Sequence, residues 1–215
     1  MAVIPMFPLG VALLPGERLP LQIFEPRYLA LVDECLNRSP QPEFGVVLIS
    51  HGHEVGGGDQ RTDVGVLARI ISAYDLPGGR QRLECVGTER FRVQEWLPDD
   101  PYPRAEVESW PDDAGSDIDE DADALVNGRV TGLAQLAAEL AQRSGGPPPG
   151  DPLADLPTDP MRRCFALAAR LPLGQADRYA LLAAPDAQAG FAVLATALDD
   201  LTAAVKFRMM DPDLP

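Results

Sequence analysis

The sequence predicts an α+β protein: a β-rich N-terminal part, residues 1–110, followed by a helical C-terminal part, residues 122–210. In the first part, short apolar segments alternate with closely spaced turn signals, as in a β-barrel or sandwich. The second part is rich in alanine and has apolar residues at helical spacing. Residues 111–121 contain several acidic residues and no basic one, which predicts an exposed linker between the two parts.

The opening segment, residues 6–36, is expected to form strand, turn, strand and helix. Residues 6–9 and 19–24 are short apolar segments flanked by proline, and Pro15-Gly16 between them is a strong turn signal. Pro26 suits the first turn of a helix, where the N–H that proline lacks would have no partner. Leu29, Val32 and Leu36 are spaced so that they predict one apolar stripe on that helix.

Further strands are expected at residues 44–49, 64–74, 82–86, 91–96 and 102–110, with Gly87-Thr88 as a turn between the third and fourth of these. Beyond the linker, helices are expected at about 122–143, after Asp159 and at 174–184, and Asp186 is expected to cap the last one. In that last helix, apolar residues follow a 3-4-3-4 spacing that predicts a packed seam: Phe191, Leu194, Leu198, Leu201 and Val205.

Several of these segments together resemble one family. The stretches LPLQIFEPRYL, DVGVLARI, RQRLECVGTERFRV and RLPLGQADRYALLAAPDAQAG occur here in the order and spacing found in the N-terminal, substrate-binding domain of Lon proteases. The likeness covers nearly the whole chain and is closest to stand-alone bacterial proteins built from that domain alone. It implies a PUA-like β pseudo-barrel followed by a helical bundle, without ATPase or peptidase domains.

Charge and cysteine content exclude some classes of partner. The formal net charge is −15 and Lys206 is the single lysine, so neither nucleic acid nor an anionic membrane is an expected partner. The closest basic group, Arg80, Arg82, Arg90 and Arg92, is expected to be a solvated strand face. Three widely spaced cysteines and the absence of a recognisable leader predict reduced, buried thiols in a cytoplasmic protein.

No catalytic or metal-binding set emerges from the sequence. A Lon protease needs a phosphate-binding G-x-x-x-x-G-K-[ST] loop and a Ser–Lys pair, and neither can be assembled around the single lysine. Gly56-Gly57-Gly58 is interpreted as a hairpin tip, His51 and His53 with Glu54 as a polar loop, and the acidic segment as solvated rather than calcium-binding. We therefore expect no enzyme activity, cofactor or metal.

The resemblance implies non-catalytic recognition of unfolded or extended polypeptide. The candidate binding residues are Pro15 and Gly16 of the turn together with the corner formed by Phe24, Glu25, Arg27 and Tyr28. We expect exposed apolar side chains there, close to a cleft between barrel and helices, with Glu25 and Arg27 also able to fix the corner structurally. The alternative is a structural adaptor that docks one folded protein. The sequence does not indicate the oligomeric state.

Overall fold

The computed structural model describes residues 1–51, 60–112 and 118–210. These residues form the α+β architecture expected, a six-stranded sheet followed by helices, and the predicted fold class is confirmed. The chain divides into two compact units, Met1–Asp112 and Asp113–Pro215. The strands are β1 (Ala2–Leu9), β2 (Arg18–Ile23), β3 (Glu43–His51), β4 (Gln60–Leu76), β5 (Arg80–Leu97) and β6 (Arg104–Ser109). The helices are α1 (Pro26–Arg38), α2 (Glu120–Arg143), α3 (Pro160–Arg170), α4 (Gln175–Leu182) and α5 (Ala187–Met210).

The sheet curls into a pseudo-barrel. Its strand order is β2-β5-β4-β3-β1-β6, and a further pairing of β5 with β6 closes the ring. β1 pairs in parallel with β3 through Met6–Leu9 and antiparallel with β6 through Ala2–Pro5. β2 lies outside the ring and pairs with the N-terminal half of β5. The two halves of β5 thus carry two different neighbours, β2 and then β6.

The expected turn at Gly87-Thr88 is wrong, and β5 is one strand of 18 residues. This joins two of the predicted strands, so the described residues contain six strands rather than about seven. Gly87 lies at a register shift in the β4–β5 ladder. A Cβ on Gly87 would lie 2.4 Å from the carbonyl oxygen of Leu14. The glycine therefore permits a close backbone approach and does not reverse the chain.

Helix α1 buries a different face from the one expected. Leu36 is exposed and Leu29 is half-buried, whereas Tyr28, Leu31, Val32 and Cys35 are the buried residues. Their i, i+3, i+4, i+7 spacing is a full apolar stripe. Of the expected stripe, Val32 is buried as predicted, but the stripe omitted Tyr28, whose ring provides the first buried position of the helix.

The helical unit follows the expected pattern more closely. Asp119 caps α2 by accepting a hydrogen bond from the Asp121 N–H, so the helix begins at Glu120, two residues earlier than expected. Asp159 and Asp186 accept hydrogen bonds from first-turn N–H groups of α3 and α5, as predicted. Of the predicted seam in α5, Phe191, Leu194 and Leu198 are buried, and Leu201 and Val205 are half-buried.

Phe91→Ala is expected to destabilise the protein by about 3–5 kcal/mol, because the ring is buried inside the barrel with Met6, Val47, Ala105 and Val107. Chemical denaturation measures the change. Phe207→Ala is the matched control, since its ring is exposed and its loss should cost less than about 0.5 kcal/mol. Equal midpoints for the Phe91 variant and the wild type would contradict the assignment of Phe91 to the core.

Gly87→Ala is expected to lower the thermal midpoint, because the added methyl group would collide with the Leu14 carbonyl. Gly128→Ala, in the middle of α2 with open space around it, should instead stabilise the protein by about 1 kcal/mol through helix propensity. Calorimetry of the two variants should show shifts of opposite sign, and an unchanged or raised midpoint for Gly87→Ala would refute the close approach at Gly87.

Candidate functional site

The corner between β2 and α1 carries a groove of about 220 Å³. Strand β2 lines it from Pro20 to Ile23, and β1 contributes Phe7 and Leu9. Phe24, Glu25 and Tyr28 complete the lining. Mainly apolar side chains face the space, as in sites that receive an apolar group.

Two buried aromatic residues of the lining, Phe7 and Tyr28, form the floor of the groove. The rings of Phe7 and Tyr28 stack with centroids 4.0 Å apart and planes 18° apart, and Phe7 also contacts the Phe44 ring at 5.8 Å. The Arg27 guanidinium lies over the Tyr28 ring, 4.5 Å from its centroid. Aromatic pairs of this kind contribute roughly 0.5–1.5 kcal/mol of stability beyond the free energy gained by burying the rings.

Tyr28 does not form the exposed apolar surface expected of it. Only 4% of Tyr28 is exposed, because it belongs to the buried stripe of α1 and its ring packs on Phe7. Tyr28 therefore lines the groove as a buried residue, and a substitution there would also disturb the core. Phe24 is the exposed aromatic residue of the corner, at 58%.

Glu25 and Arg27 form an ion pair, with the Arg27 Nε donating to Glu25 Oε2 at 3.0 Å. The Glu25 side chain makes no capping hydrogen bond to α1, but its carbonyl oxygen accepts from the Tyr28 and Leu29 N–H groups. A pair of this partial exposure contributes at most about 1 kcal/mol. It orients the Arg27 side chain at the rim, over Tyr28.

Pro15 and Gly16 are not among the residues that line the groove. They form the centre of a β-turn in which the Glu17 N–H donates to the Leu14 carbonyl at 3.1 Å and Gly16 has φ +83°. Proline followed by a positive-φ glycine is the signature of a type II turn. Three of the six candidate residues, Phe24, Glu25 and Tyr28, therefore line the groove, and Arg27 lies beside them through its contacts with Glu25 and Tyr28. The turn pair has a backbone role.

Six of the nine groove residues were absent from the candidates drawn from the sequence: Phe7, Leu9, Pro20, Leu21, Gln22 and Ile23. Phe7 and Leu9 are indistinguishable in sequence from core residues of a strand. Pro20 carried a usable signal, because a proline inside a strand indicates an edge. The free edge of β2 could have been inferred from it.

The other side-chain clusters are structural. All three cysteines are free and buried, and burial raises the pKa of each thiol to about 12, so none is poised as a nucleophile. In the part of the chain that the structure describes, no three His, Cys, Asp or Glu side chains are grouped to hold a metal ion. His53, Glu54 and the triple glycine lie outside the described residues.

The expectation that the four arginines form a solvated strand face is wrong for Arg90. It is 2% exposed, its Nε lies 2.8 Å from Asp112 Oδ1, and its guanidinium lies 4.2 Å from the Trp110 ring centroid. The Arg92 guanidinium also lies over Trp110, at 3.6 Å. A buried guanidinium requires such partners, and here they hold the end of the N-terminal unit.

No helix among residues 1–51, 60–112 and 118–210 is long and apolar enough to cross a bilayer.

Solved structures similar to this chain are Lon N-terminal domains. A Lon N-terminal domain protein from Xanthomonas campestris has a TM-score of 0.63 and 27% identity, covering 94% of this chain and 98% of its own. The N-terminal domain of a Mycobacterium avium complex Lon protease has the same TM-score at 19% identity, covering 93% and 99%, and supports the fold alone.

Curated relatives include the Lon proteases of Parabacteroides distasonis and Anaeromyxobacter dehalogenans. Each is 28% identical, over 129 and 144 residues respectively, which is 58% and 66% of this chain. The matched segments span only 15% and 16% of those proteases. The family model described as the ATP-dependent protease La (LON) substrate-binding domain matches residues 3–194. Because this match covers most of the chain and agrees with the fold, the protein belongs to the Lon substrate-binding domain family.

Proposed function

We propose that this protein is a non-catalytic recognition module that binds unfolded or extended polypeptide at the β2–α1 groove. The observation that carries the proposal is an exposed phenylalanine, Phe24, at the rim of an apolar groove with an aromatic floor. An apolar side chain of a client would leave water by entering the groove and would be covered by the Phe24 ring. Folded proteins seldom present such side chains, whereas unfolded ones do.

Family membership supports the same proposal. The family is described as a substrate-binding domain, and the relatives named above are Lon proteases, for which a protein is the substrate. A client bound at about 1 μM requires about 8 kcal/mol of net binding free energy. An apolar groove with an aromatic rim is of the right order to provide it, since a buried apolar side chain contributes about 1.5–3 kcal/mol and several can act together.

We propose further that the chain has no ATPase or peptidase activity of its own and acts in the cytoplasm. The thiols have raised pKa values, and Lys206, the single lysine of the sequence, is exposed on α5. The phosphate-binding loop and the Ser–Lys pair of a Lon protease would both have to be built from this single lysine.

Phe24→Ala is expected to weaken binding of an unfolded client about tenfold, equivalent to about 1.4 kcal/mol, because truncation removes the cover of the groove. Titration of a fluorescent, uncharged unfolded polypeptide measures it by anisotropy. The control is Phe207→Ala, which removes the same ring at nearly the same exposure, 62% against 58%, and should leave binding unchanged.

The same titration at low and high salt should give similar affinities for an uncharged client, since apolar contact is insensitive to ionic screening. Equal weakening by the two phenylalanine variants would show non-specific adhesion and overturn the site. Tight binding of one folded protein, without binding of unfolded chains, would establish the adaptor function instead.

The purified protein is expected to hydrolyse neither ATP nor unstructured peptides. Phosphate release and cleavage of a quenched fluorescent peptide are the two assays. Turnover that survives purification and disappears with a single substitution in this chain would refute the prediction, whereas turnover unaffected by substitutions would identify a contaminant.

A further inference from the structure

Strand β2 has one side without a strand partner. Among the strands that the structure describes, it pairs only with β5, and it ends the strand order of the sheet. Its second side therefore presents backbone N–H and C=O groups that no other described strand uses. Such an edge is a template for another extended chain.

The hydrogen bonds at the start of the β2–β5 ladder determine which residues face that side. At the start of the ladder, the Gly87 N–H donates to the Glu17 carbonyl at 2.9 Å, and the register pairs Arg18 with Val86. Because backbone groups alternate between the two sides of an antiparallel strand, Leu19, Leu21 and Ile23 point their groups towards β5. Arg18, Pro20 and Gln22 point theirs to the open side.

Pro20 agrees independently with this alternation. Proline has no N–H to give to a ladder, so in an edge strand its nitrogen faces away from the neighbouring strand. The open side of β2 next to the groove therefore offers the carbonyl of Pro20 and both backbone groups of Gln22. This short set favours a brief pairing and guards the edge against extended aggregation.

The groove adjoins this open side. Four consecutive residues, Pro20 to Ile23, line it although their side chains alternate between the faces of the strand. A cavity contacts every residue of a strand when it lies along the strand edge. The exposed residue Phe24 follows β2 directly, and Phe7 and Leu9 of β1 also line the groove.

The net charge of the N-terminal unit indicates which kind of polypeptide segment would bind along the open side of β2. The segment Met1–Asp112 contains ten arginines and seventeen acidic residues and no lysine, a net charge of −7, within a chain of −15. A bound segment with basic residues would be attracted by this surface, and an acidic one would be repelled. The open strand edge requires an extended backbone, and the groove requires an apolar side chain. The net negative charge favours basic residues on both sides of that apolar residue.

We propose that an extended, basic polypeptide segment adds as a strand along the open side of β2, pairing with Gln22 and Pro20 and placing one apolar side chain in the groove. This inference rests on the proposed function and specifies its mode, which is β-augmentation. Main-chain pairing explains how one site accepts many sequences, because every extended peptide carries the same backbone groups.

The test compares Gln22→Pro with Gln22→Ala. The proline removes the N–H on the open side and leaves the ladder to β5 intact, whereas the alanine removes only the exposed side chain. The probe is a short fluorescent peptide with a central phenylalanine, alternating threonine and valine, and lysines at both ends. Gln22→Ala measures what loss of the side chain alone costs, and Gln22→Pro is expected to weaken binding about tenfold more than Gln22→Ala, by loss of one hydrogen bond and a clash at the edge.

A second measurement uses the wild-type protein and remains decisive if Gln22→Pro fails to fold. Peptides methylated at one backbone nitrogen at a time should show alternating strong and weak loss of affinity around the central phenylalanine. A flat profile, or equal effects of Gln22→Pro and Gln22→Ala, would overturn strand addition. Exchanging the terminal lysines for glutamates should weaken binding, and no change would remove the basic-flank requirement.

The outcomes separate this inference from the function on which it rests. Loss of binding in Phe24→Ala with full binding in Gln22→Pro would retain polypeptide recognition and refute strand addition. Failure of the wild type to bind any unfolded chain would refute the proposed function itself. A wild-type dimer that Gln22→Pro converts to a monomer would assign the edge to a second copy of this chain and overturn the peptide proposal.

Discussion

The contact between Gly87 and the turn at Leu14–Glu17 sets the geometry on which the candidate site depends. The Gly16 N–H donates to the Gly87 carbonyl at 2.8 Å, and the Gly87 N–H donates to the Glu17 carbonyl at 2.9 Å. These two bonds begin the β2–β5 ladder and determine which backbone groups of β2 face outwards. Only glycine permits the approach, since a Cβ would lie 2.4 Å from the Leu14 carbonyl oxygen. A turn that does not line the groove thus determines the orientation of β2, the strand that does line it.

The site combines a fixed floor with an exposed rim. Phe7 and Tyr28 are buried and stacked, and Phe44 packs against Phe7 at a tilt, so the floor is already formed before a ligand arrives and little entropy is lost there on binding. Phe24 is exposed on the rim and is the residue best placed to cover a ligand. The proposed site therefore joins a preorganised apolar surface to a strand edge, two features that recognise unfolded chains without reading their sequence.

The place of the candidate site along the chain could be predicted from the sequence, but most of its lining and the roles of its residues could not. The corner from Phe24 to Tyr28 was identified because proline, strand and helix signals meet there. The exposure of Phe24 and burial of Tyr28 depend on the rotation of α1, and three apolar positions spaced along a helix do not fix that rotation to within one residue. Phe7 and Leu9 join the site through β1, which is distant in sequence, so no local pattern could assign them.

By itself, the sequence determined the α+β class, the order of the two parts, the caps at Asp159 and Asp186 and the family, because these depend on local propensity and on patterns that persist along the chain. Only the tertiary structure decided that Gly87 lies within one continuous strand, that Arg90 is buried against Asp112 and Trp110, and that β2 has an open side beside the groove. Each of these depends on which distant segment comes to lie against a residue. Glycine suits a turn and a close backbone approach equally well, and an arginine can be solvated or paired, so the packing partner makes the choice.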